Sequence, residues 1–76
     1  MGSCHLNHSV KDVLDKLSFQ RNHLPEKLYD ELYLFLQTEI SQEIMNELFH
    51  LLKKYDLSTK AEQEQRNKRL SHLLSI

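Results

Sequence analysis

Glycine, proline and cysteine each occur once in this chain, as Gly2, Pro25 and Cys4, and tryptophan is absent. β-Hairpin turns depend on Gly, Asn-Gly and Pro, so their scarcity argues against an all-β architecture. Without an internal glycine there is no Gly-x-Ser-x-Gly nucleophile elbow and no glycine-rich loop to cradle a phosphate. One cysteine cannot close an internal disulfide, and with no export signal before it a reducing, cytoplasmic setting is expected. No apolar run approaches the roughly 18 residues that span a membrane, so no membrane role is expected. The N-terminus lacks the basic region and apolar core of a signal peptide. Gly2 invites a test for myristoylation, but Leu6 stands where that motif needs Ser or Thr.

What the chain does have is helix-forming material. It is 39% hydrophobic and 28% charged over 76 residues, an ordinary globular balance. A single domain of this length buries only about 60% of its unfolded surface, so it needs tight helix contacts or self-association to persist. The net charge of −1 conceals an asymmetry. Residues 1–52 carry four basic and eight acidic side chains, and residues 53–76 carry six basic and three acidic. Such a split favours internal docking of the tail, head-to-tail association or an acidic partner.

The periodicity gives four helices. Residues 1–8 have no pattern and read as a flexible end, with a single helical domain over 9–76. Ser9 with Asp12 three positions later is an N-cap signal. The helix it opens carries Val10, Val13, Leu14 and Leu17 in a stripe of about 100°, and it should end between Ser18 and His23, with Phe19 packing from the loop. Pro25 opens a second helix, since proline suits the first helical position, running to about Thr38. Ser41 caps a third, running to Lys54 or Tyr55. Leu28, Tyr29, Leu32, Tyr33, Phe35 and Leu36 recur sixteen positions later as Ile44, Met45, Leu48, Phe49, Leu51 and Leu52. Each set covers an arc of about 160°, wider than one neighbour fills. The short link between them predicts a central antiparallel hairpin over about 25–38 and 42–55. Thr59-Lys60-Ala61-Glu62 caps a last helix, residues 59–76. It is polar until Leu70, Leu73 and Leu74, so its first half is expected to be mobile in solvent or to meet a partner. The fold class is therefore all-α, a small antiparallel bundle of three to four helices around the central hairpin.

Chemistry-bearing constellations are few. Cys4-His5-x-x-His8 offers three metal-type ligands, but a closed zinc site needs a fourth from His23, His50 or His72, and the spacing matches no standard pattern. Asp30-Glu31 are adjacent in a helix and point apart. Glu39 projects into the apolar arc at the C-terminal end of the second helix. A frayed last turn exposed to water is the favoured expectation there, over a snorkelling side chain, a basic partner or a contact with another protein. No catalytic, cofactor or metal residues are assigned. The basic run Arg66, Lys68 and Arg69 keeps a helix-turn-helix-like DNA-binding regulator as the alternative, although an acidic chain lacks the attraction that dominates such binding.

The reading with most physical support is a non-catalytic protein that acts by binding another protein, as regulator, inhibitor or adaptor, or by pairing as a homodimer. Candidate contact residues are Tyr29, Tyr33, Met45 and Phe49, on one margin of the wide arcs, with Arg66, Arg69, Leu70 and Leu73 on the last helix. Aromatic residues, Met and Arg are the types enriched in interface cores. The plain alternative is that the apolar ones are core.

Overall fold

A computed structural model describes residues 8–75. Four helices follow in order: α1 (Val10–Phe19), α2 (Glu26–Phe35), α3 (Gln42–Leu52) and α4 (Lys60–Leu74), with a 3₁₀ turn at Tyr55–Leu57 before α4. No strand occurs among the described residues. α1, α3 and α4 start where the sequence puts them, and α2 starts at Glu26 rather than at Pro25. Ser9 Oγ accepts from the Asp12 amide while Asp12 Oδ2 accepts from the Ser9 amide, a reciprocal cap. Ser41 caps α3 by accepting from the Ile44 amide, and Thr59 caps α4 by accepting from the Glu62 amide. Pro25 stands one residue outside α2, its carbonyl accepting from the Tyr29 amide.

The helix ends differ. α2 stops at Phe35 rather than near Thr38 because its last turn tightens: the Gln37 and Thr38 amides donate to the Leu34 and Phe35 carbonyls three residues back, Thr38 Oγ1 also donates to the Phe35 carbonyl at 2.7 Å, and Gln37 Nε2 donates to the Tyr33 carbonyl at 3.2 Å. Glu39 consequently lies outside the helix and is exposed. α3 stops at Leu52, and Lys54 adopts the left-handed conformation (φ 57°, ψ 23°). That turn swings Tyr55 into the core, where it is 1% exposed. Phe19 does not pack from a loop. It is the last residue of α1, about half a turn from the Val13–Leu17 stripe, and it is 68% exposed.

The core is almost entirely leucine. Leu17, Leu24, Leu28, Leu32, Leu36, Leu48, Leu52, Leu70 and Leu73 are buried with Val13 and Tyr55. Leu14, Tyr29, Phe35, Ile44, Met45, Phe49, Leu51 and Leu74 pack around them, half-buried. The wide arcs of α2 and α3 are thus buried along their centres and half-covered along their margins.

The central hairpin is not the organising pair. The bundle is held by contacts of α1 with α3, α2 with α4, α3 with α4 and α1 with α2. α2 and α3, though consecutive, are not principal neighbours. Their arcs face the narrow stripe of α1 and the Leu70–Leu73 face of α4, and the irregular 36–41 connection lets them part.

α4 is docked along its length by polar contacts that hydrophobic periodicity does not reveal. Gln63 Nε2 donates to the Tyr55 carbonyl at 2.8 Å, and Tyr55 Oη donates to Asn67 Oδ1 at 2.7 Å. Arg66 Nη1 donates to the carbonyls of Leu51 (3.2 Å) and Lys53 (2.8 Å), which the end of α3 leaves without helical partners. Arg69 makes a two-pronged pair with Glu47, its Nη2 donating to Oε1 at 3.0 Å and its Nε to Oε2. That bond draws the Glu47 carboxyl below, and the Arg69 guanidinium above, their ordinary values. At the other end of the chain His8 is also fastened: its amide donates to Asn46 Oδ1 at 3.0 Å and its carbonyl accepts from Gln42 Nε2 at 2.8 Å.

Gln20 is the one buried polar residue among those described, 1% exposed where α1 ends. Its Nε2 donates to Asp56 Oδ1 at 2.9 Å, tying α1 to the 3₁₀ turn, and this bond holds the Asp56 carboxyl below its ordinary value. Its Oε1 has no hydrogen-bond partner among the described residues.

Candidate protein-binding surface

α2 turns Leu28 and Leu32 inward. The same helical repeat turns Tyr33 and Leu34 outward, 47% and 66% exposed. Tyr29 lies between, half-buried, with its ring 6.5 Å from that of Tyr33 at an interplanar angle of 20°. The Arg21 guanidinium also lies over Tyr29, 5.0 Å from the ring centroid. Arg21, Tyr29, Asp30, Tyr33 and Leu34 line one shallow groove. Glu31, Leu34, Phe35, Thr38 and Leu74 line a second. Leu34 is common to both, an apolar ridge with a recess on either side.

A separate groove runs between α1 and α3, lined by His8, Asp12, Asp15, Lys16, Phe19 and Phe49. Its aromatic walls are held by contacts within the chain. The His8 ring stacks on Phe49 at 3.6 Å between centroids, and the Lys16 ammonium lies 5.4 Å from Phe49 and 5.9 Å from Phe19. His50 meets the edge of His8 at 5.9 Å.

The structure therefore divides the residues that the sequence grouped together. Tyr29 and Tyr33 share the α2 face. Met45 and Phe49 lie on α3, half-buried, with Phe49 under His8 and Lys16. Leu70 and Leu73 are core, 0% and 1% exposed. Arg66 and Arg69 are engaged in holding α4 on α3, so two of the three basic residues behind the nucleic-acid alternative already have partners inside the chain. Of the Cys4-His5-x-x-His8 cluster, Cys4 and His5 lie outside the described residues, and His8 takes part in ring stacking. Among the described residues no three His, Cys, Asp or Glu side chains gather as metal ligands, and no helix is long and apolar enough to cross a membrane.

Leu34 is the residue that sequence reasoning passed over. As one leucine on the polar side of a helix it carries no signal. Its meaning comes from the grooves beside it, which residues from α1's end, α2 and α4 create together. No family model matches this chain, no curated protein is similar to it, and no solved structure matches it.

Proposed function

We propose that this chain is a non-catalytic protein-binding module, of the regulator, inhibitor or adaptor kind, that engages its partner through the outer face of α2. The observation that carries this reading is the Leu34 ridge, two-thirds exposed and flanked by two apolar-walled grooves. Tyr29, Tyr33 and Phe35 surround it, and large, rigid side chains of this type supply contact area at low entropic cost. A charged rim of Arg21, Asp30 and Glu31 frames the patch, as polar rims frame the cores of transient interfaces. The absence of phosphate-cradling and nucleophile motifs from the sequence supports a binding role over catalysis. The lone cysteine supports a reducing, cytoplasmic location.

A photo-crosslinking amino acid placed at position 34, in the native host, tests this directly. Adducts from position 34 that are lacking from position 57, where Leu57 is 75% exposed but lines neither groove, are the expected result. Equal labelling from both positions, or none from position 34, overturns it.

A further inference from the structure

We infer that the occupant of the α2 face is a second copy of this chain, bound across a two-fold axis. The inference rests on reading that face as a protein-binding surface and names the partner. An isologous interface needs one surface to carry both a projection and the recess that receives it. Here the two are adjacent. Leu34 is the projection, and the groove of Arg21, Tyr29, Asp30 and Tyr33 opens directly beside it, with Leu34 as one wall. Turning one copy over about an axis between the two seats each Leu34 in the groove of the other.

Charge agrees with this arrangement. Glu31 lies one helical turn before Leu34 and edges the second groove, while Arg21 edges the receiving one. Both are exposed, and neither makes an ion pair among the described residues. Seating Leu34 of one copy carries its Glu31 toward Arg21 of the other, and the two-fold axis makes that contact twice. Asp30 lines the receiving groove beside Arg21, so the rim carries both signs. A mixed rim pairs with itself once Arg21 of each copy meets Glu31 of the other, whereas a strongly acidic or basic partner would call for a rim of one sign. The contact is small. A ten-residue helix is about 15 Å long, so the interface falls at the lower end of the specific range, and a micromolar dimer is expected.

Sedimentation equilibrium on the full chain, from about 5 µM to about 500 µM, reads the outcome. The expected result is a rise from the 9.1 kDa single-chain mass toward twice that value. Leu34→Glu abolishes the rise, and Leu57→Glu leaves it unchanged. Both positions are exposed, and circular dichroism verifies that each variant stays folded. Arg21→Glu and Glu31→Arg each weaken association about tenfold or more, and the two together on one chain restore it. A single-chain mass throughout overturns the inference, as does association that survives Leu34→Glu or double reversal that fails to restore it. The binding reading fails separately. A monomer whose position-34 cross-linker captures a different protein removes the dimer and leaves that reading standing, and a monomer with no adduct removes both.

Discussion

Replacing Arg66 with Met separates an internal role for the basic C-terminal helix from an external one. The substitution keeps the aliphatic stem and removes the guanidinium, whose Nη1 donates to the Leu51 and Lys53 carbonyls. A hydrogen bond from a charged donor contributes about 1.5–3 kcal/mol net, and a cation at a helix C-terminus about 0.3–1 kcal/mol. The side chain is 21% exposed, and the bond to Lys53 is at the surface, where water replaces much of it. A total loss of about 2 kcal/mol follows. The ion pair with Glu62, at 3.4 Å and 53% exposed on the glutamate side, adds little. In a domain this size each kcal/mol moves the melting midpoint by about 4–8 °C, so Arg66→Met should melt about 8–16 °C lower. Thermal unfolding followed at 222 nm measures this. Arg66→Lys, which keeps the charge but not the two-pronged reach, should lose about half as much. A midpoint for Arg66→Met within about 2 °C of the parent would refute the claim that Arg66 fastens α4 to α3.

Three further perturbations address the turn and the surface pair. Lys54→Gly should stabilise by about 0.5–1 kcal/mol in urea titration, since a side chain in the left-handed region costs more than the extra freedom glycine gives the unfolded chain; a destabilised variant would show the turn to be unstrained. Tyr55→Phe should lose about 1 kcal/mol by removing the bond to Asn67, read as a lower urea midpoint at unchanged slope. The Glu47 carboxyl titrates lower folded than unfolded, so the unfolded chain binds the extra proton, and the stabilisation present at neutral pH is lost as pH falls through the depressed folded value. Glu47→Gln should therefore flatten the acid limb of the stability profile, and an unchanged limb would remove the pair with Arg69 as its source.

Local chemistry made part of this fold readable in advance. Ser9, Ser41 and Thr59 each cap a helix with a side-chain oxygen a few ångströms away in the chain, and no distant contact is needed to recognise them. Helix ends were less legible. No glycine marks the exit from α3, and Lys54 takes the left-handed turn because burying Tyr55 outweighs the local strain. Gln20 sat in a stretch without periodicity, yet it links α1 to Asp56, a contact across 36 positions. The Gln63–Arg66–Asn67 face of α4 looked free because apolar periodicity is blind to carbonyls left open at the end of another helix.

By itself, the sequence determined an all-helical chain, its starting caps and the inward-facing leucines of α1, α2 and α3, because helix geometry converts spacing into faces. The hydrophobic core is a property of those faces. Pairing was another matter. The wide arcs of α2 and α3 were equally compatible with meeting each other or with meeting α1 and α4, since burial energy depends on area and not on which helix supplies it. Tertiary structure decided that choice. By bringing Arg21 beside α2 and closing Leu74 of α4 against it, it also set a groove on each side of Leu34, turning one ordinary exposed leucine into the centre of a surface.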